Sequence, residues 1–79
     1  MPMDATDARL AFLSEAARLR EVERASRTAS GRHENSAEHS WHLALYALTL
    51  AGEAPEGVRV DRVIRMLLIH DLVEIDVGD

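Results

Sequence analysis

The apolar positions of this chain recur at helical intervals, not alternating ones. In the first stretch Leu10, Leu13, Ala17 and the Arg20–Glu21 pair follow a 3.6-residue rhythm, with Phe12, Ala16 and Leu19 beside it. Asp4, Thr6 and Asp7 offer capping oxygens and favourable charge at its start, which predicts a helix over about 5–23. The segment ASRTASGRH (25–33) is small and polar, contains Gly31 and reads as a loop. Asn35 followed by Glu38 fits a capping box, and the apolar run HLALYALTLAG carries a second helix over about 36–51. GEAPEG is a connector punctuated by Pro55 and Gly57. A third helix is expected over about 60–76, opened by the acid Asp61 and stopped by Gly78. There is almost no strand signal, because the Ile and Val residues of the third segment are spaced helically. The fold class is therefore all-α, with about three helices.

Composition narrows the chemistry. The chain has 79 residues, a net charge of −5 and no cysteine, so no disulfide staples a domain this small. A metal, a partner chain or further helices must be considered as sources of stability. All nine basic residues are arginine, and an acidic chain lacks the footprint for sequence-independent nucleic-acid binding. Arg18, Arg20, Arg24, Arg27 and Arg32 cluster in the first half, and Glu15, Glu21 and Glu23 compensate them at helical spacing. A solvated helix face is the plain reading of that cluster. Guanidinium groups also suit phosphate, which keeps a phosphate-bearing small molecule open. No stretch approaches the roughly 20 apolar residues of a membrane span, and the N-terminus lacks the layout of a signal peptide, so the expected location is the cytoplasm.

The last segment, MLLIHDLVEIDVGD, raises a sharper question. It runs four apolar residues into His70 and Asp71, with Glu74 one turn on, and a lone carboxylate in apolar surroundings is costly. On a regular helix Val63, Met66, Leu67, His70 and Glu74 share a face, with Asp71 about 100° round from His70. On the second helix His39, Leu43, Tyr46 or Ala47, and Leu50 share another. If these faces pack together, two imidazoles and a carboxylate surround one point, with a second carboxylate nearby. Such a set suits a divalent metal (Mn, Co, Fe, Ni, Zn or Mg) and leaves coordination positions open, as a catalytic ion requires. Each residue has a plainer reading alone: His39 as a core histidine, His42 as packing or surface, His33 as a loop residue, Trp41 as packing, Glu38 as a cap. The four together, His39, His70, Asp71 and Glu74, raise the metal reading above these.

The same residues resemble a known family. RHENSAEHSWHLALYALTL followed by RMLLIHDLVEIDVGD, with the joint pattern E-N-x-x-E-H-S plus H-D-x-x-E-x-x-x-G-D, is similar to the HD-domain metal-dependent phosphohydrolases, and most to their 5′-deoxynucleotidase-like branch. The resemblance spans roughly residues 19–79. It implies an HD-domain helical bundle and makes His39, His70 and Asp71 metal ligands. Glu74 would position or deprotonate the attacking water. Arg32 would contact the substrate phosphate, Arg24 would do likewise, and Asp79 would lie at the pocket near the sugar. The implied reaction is hydrolysis of a nucleoside 5′-monophosphate, with a deoxy sugar, by a homodimer.

One element of the family pattern is missing. The metal site needs another aspartate from a later helix, and Asp76 and Asp79 stand too close to Asp71 to serve. The expectation is that these 79 residues form the N-terminal part of a single HD domain and are inactive alone. The alternatives are another HD-type reaction, on a pyrophosphate or phosphodiester, and a non-catalytic helical dimerisation or regulatory fragment.

Overall fold

A computed structural model describes residues 2–78, so Asp79 lies outside the described residues. Helix α1 spans Ala5–Ala16. Asp4 caps it by accepting from the Asp7 amide while the Asp7 side chain accepts from the Asp4 amide. The helix tightens into a 3-10 turn over Ala17–Glu21, and Glu23, where the helix was expected to end, already opens the strand that follows. The expected apolar stripe is not what the fold buries. Leu10, Phe12 and Leu13 are exposed, and Leu19 on the following turn is buried.

The segment read as a loop forms a hairpin. Strand β1 (Glu23–Arg27) pairs antiparallel with β2 (His33–Asn35), Glu23 opposite Asn35 and Arg27 opposite His33, with an irregularity between. Its residues carry no strand propensity; local closure makes the pairing. Gly31 takes φ 89° at the turn, where the Gly31 amide donates to the Thr28 carbonyl (2.9 Å) and the Thr28 amide to the Arg32 carbonyl (2.7 Å). The Arg27 guanidinium also donates to the Gly31 carbonyl at 2.9 Å.

Helix α2 covers Ser36–Thr49, and its start is as the sequence predicts. Asn35 accepts from the Glu38 amide (2.9 Å) and Glu38 accepts from the Asn35 amide (2.8 Å). The Ser36 amide donates to the Val22 carbonyl (2.8 Å), tying this helix end to the exit from the first helical path. The buried stripe of α2 is Ser36, Ser40 and Ala44, spaced i, i+4, i+8. Small side chains let the next helix approach closely. Trp41, expected in the packing, is exposed instead, and stacks on His42 with ring centroids 5.7 Å apart; His42 in turn meets Tyr46 at 4.8 Å.

A short turn at Ala51–Glu53 and Gly57 (φ 88°) lead into α3, Val60–Ile69. The third helix is not the single expected rod. It tightens into a 3-10 turn over His70–Val73 and resumes as α4, Glu74–Val77. Gly78 ends it at φ 77°, its amide donating to the Glu74 carbonyl (2.7 Å). α3 returns antiparallel to α2. Between them an apolar groove of ≈ 340 Å³ is lined by residues that include Leu43, Ala47, Leu50, Val63 and Leu67. The arrangement is mostly helical and open: the Cα radius of gyration is 15.2 Å, against about 12 Å for a compact domain of this length. Among the described residues, no helix is long and apolar enough to cross a membrane.

Candidate metal and phosphate site

The 3-10 turn decides where the acids point. In such a turn residues i and i+3 eclipse, so Asp71 and Glu74 project along one edge. That edge faces α2. Ser36 Oγ donates to Glu74 Oε2 at 2.8 Å, and Ser40 Oγ stands 3.5 Å from Asp71 Oδ2, at the outer limit of a hydrogen bond. An i, i+4 pair of hydroxyls on one helix thus meets an i, i+3 pair of carboxylates on the antiparallel segment. Ser36 carries no signal in the sequence, and Ser40 carries only its place at the end of the E-N-x-x-E-H-S pattern. A buried hydroxyl must find a partner, but Ser36 and Ser40 carry no periodic signature that names one.

His70, a third of a turn before Asp71, swings outward: its side chain is 42% exposed, whereas that of Asp71 is 13% exposed. Its Nδ1 lies 3.0 Å from the Leu67 carbonyl and its Nε2 3.1 Å from Asp71 Oδ1. Both neighbours are acceptors. A ring with one N–H donates to only one of them, and in the tautomer in which Nδ1–H donates to the carbonyl the Nε2 lone pair faces a carboxylate oxygen. That tautomer is repulsive unless a cation sits against both groups, whereas the other donates from Nε2 to Asp71. Two donors each about 2.1 Å from an ion at 90–110° stand about 3.0–3.4 Å apart, and the observed pair falls in that range.

His39 lies at the edge of the packed face of α2, about 60° round from Ser36. It is partly exposed, and its Nδ1 sits 3.0 Å from Glu34 Oε1 on β2. An imidazole that donates from Nδ1 to a carboxylate presents the Nε2 lone pair outward, the usual support of a metal-ligating histidine. Glu34, also missed by the sequence reading, is a hub: Ser26 Oγ donates to it (3.2 Å) and Arg24 pairs with it (3.3 Å). Its only early signal was its place in the E-N-x-x-E-H-S pattern.

The expected grouping forms only in part. His70 and Asp71 come together, while His39 turns to the hairpin, and among the described residues no group of three His, Asp or Glu side chains is disposed to hold a metal ion. The donor types and the bite of the His70–Asp71 pair fit a divalent cation; a complete ligand set is not in place. His33, expected in a loop, lies in β2 with Nδ1 2.9 Å from the Arg24 carbonyl.

Arg32 is engaged by its own chain. Its guanidinium forms a two-pronged pair with Glu38, Nη1 to Oε1 at 2.8 Å and Nη2 to Oε2 at 3.1 Å. That hydrogen-bonded pairing raises the Arg32 pKa. It also holds the Glu38 carboxyl below the usual carboxylate range, with the Asn35 amide adding to the effect. Glu38 therefore joins the hairpin to the start of α2 as well as capping it.

With this geometry in hand, comparison with known proteins places the chain. The model of the HD domain matches residues 16–79, and the chain belongs to the HD-domain family. The fold is similar to the crystal structure of a "predicted metal-dependent phosphohydrolase" from Magnetospirillum magnetotacticum MS-1, with a TM-score of 0.91 and 48% sequence identity over 94% of this chain. This chain spans 40% of the length of that protein. No curated protein matches it.

Proposed function

We propose that this chain forms part of a metal-dependent phosphohydrolase that cleaves nucleoside 5′-monophosphates, with preference for the deoxy sugar. The observation that carries the reading is the His70 Nε2–Asp71 Oδ1 pair, 3.1 Å apart beside a Glu74 carboxylate held by a buried hydroxyl. The similarity to a predicted metal-dependent phosphohydrolase, at 48% sequence identity, supports the reaction class. The nucleotide substrate rests on the sequence resemblance.

In this reading His70 and Asp71 would hold a divalent ion, joined, as the resemblance implies, by His39. Bound there, the ion supplies Lewis-acid polarisation of the phosphoryl group and a more acidic water. Glu74 would orient the attacking water and accept its proton. Asp71, set into the α2 side of the site, keeps the pair in register through Ser40. Arg32, whose side chain is well exposed, exchanges Glu38 for the substrate phosphate, which accepts the same planar fork. Arg24, on β1 and paired with Glu34, would join it at the phosphate, and Asp79 would contact the sugar, roles that rest on the sequence resemblance. Much of the rate then comes from positioning and electrostatics. The exposed apolar residues of α2 provide surface for the homodimer that the resemblance implies, which light scattering reads directly.

The test is a substrate panel run on the protein loaded in turn with Mn, Co, Ni, Zn and Mg. Inorganic phosphate released from deoxynucleoside 5′-monophosphates supports the assignment. Activity confined to diphosphates or diesters moves it to another HD-type reaction. Absence of stoichiometric metal together with absence of turnover refutes it in favour of a structural role.

A further inference from the structure

Ser36 is the most deeply buried side chain described, at 0% exposure, and it is polar. Its hydroxyl has one carboxylate partner, Glu74 Oε2, from a residue 38 positions away. The backbone around it is equally constrained. The Ser36 amide donates to the Val22 carbonyl, and the capping box of Asn35 and Glu38 fixes the first turn of α2. The hydroxyl therefore belongs to a rigid frame, built where the first helical path, the hairpin and α2 meet. Glu74, by contrast, lies at the junction of a 3-10 turn and a single short helical stretch, the less constrained side of the pair.

We propose that Ser36 is a positioning residue for the water-orienting carboxylate: it fixes Oε2 of Glu74 and thereby commits the other carboxylate oxygen to the nucleophile. This rests on the function proposed above. A carboxylate free to rotate presents either oxygen in many orientations. One held at 2.8 Å by a buried donor presents a single one. Ser40 repeats the device one turn on, against Asp71, at the longer distance of 3.5 Å. A purely structural serine would be replaceable by alanine at a cost in melting temperature alone. A positioning serine has a kinetic signature as well.

The experiment compares wild type, S36A, S36C, E74A and S36A/E74A in the full protein. Urea or thermal unfolding of the four alanine-cycle members tests the contact without reference to activity. The double variant is expected to melt within about 2 °C of the worse single variant, because both changes remove the same interaction. S36A is expected to lose about 10- to 100-fold in kcat, the scale of an outer-sphere hydrogen bond, with KM and bound metal close to wild type. S36C, which keeps a weak donor, is expected to fall between the two and carries the same reading if S36A does not fold. Wild-type kcat in S36A or S36C, or additive stability losses in the cycle, overturns the proposal while leaving the phosphohydrolase reading intact. A wild-type protein that turns over no phosphoester defeats both, and is told apart because the stability cycle still reports the hydrogen bond.

Discussion

Leu13 and Leu19 look alike in the sequence, and the structure separates them: Leu13 is 61% exposed, Leu19 4%. Leu19→Ala removes three buried carbon groups, about 2.4 kcal/mol at about 0.8 kcal/mol each. A cavity term normally adds to this. Here the surroundings are open enough to relax into the space, so the total should stay near 2.5 kcal/mol. Unfolding entropy of about 2.1 cal/mol/K per residue gives roughly 0.17 kcal/mol/K for 79 residues, so the melting temperature should fall by about 15 °C. Leu13→Ala should shift it by no more than about 3 °C, the effect of a surface change. Thermal unfolding followed by far-UV circular dichroism reads both. Equal shifts for the two variants, or a Leu19→Ala shift under about 4 °C, would refute the idea that the turn after α1 anchors the fold on this side chain.

The other expectations concern the caps, the ion pair and the carboxylates Asp71 and Glu74. Asn35→Ala removes a capping oxygen and should lower stability by about 1 kcal/mol, or about 6 °C on the same scale, seen by the same thermal scan. Glu38 is held below the usual carboxylate range, so its contribution is present above the unfolded-state pKa and disappears as pH falls through the folded-state value. Glu38→Gln should accordingly lower melting temperature at neutral pH and flatten its decline on acidification; an unchanged acid slope counts against the pairing. Glu74→Ala should cut kcat by about 10²- to 10⁴-fold with metal retained, whereas Asp71→Ala should lose the metal itself. Elemental analysis beside a phosphate-release assay distinguishes the two, and full metal and activity in Asp71→Ala would remove it from the site.

The legible features were those whose cause is local. Asn35 and Glu38 are three residues apart, and that spacing suffices for each to reach the other's amide. Asp4 and Gly78 mark ends for similarly local reasons, a side-chain acceptor before a first turn and a positive φ after a last one. The hairpin was illegible because ERASR and HEN contain no strand-favouring run; their pairing comes from a turn at Gly31 and from side chains that bond across it. His70, Asp71 and Glu74 were legible as a chemical set, but their directions were not. A regular helix at 100° per residue puts Asp71 off the shared face, and the 3-10 turn at about 120° instead aligns it with Glu74 and sends His70 outward.

The sequence by itself determined the helical class, the caps, the family and the short roster of residues able to do chemistry, since each depends on neighbours within a few positions or on a pattern read in order. Only the tertiary structure decided which of those residues meet. It buried Ser36 and Ser40 against Glu74 and Asp71, drew His39 to Glu34, and occupied Arg32 with Glu38. The reason is that a partner 31 or 38 residues away is chosen by how closely two backbones approach, and small side chains on α2 permit that approach without announcing it.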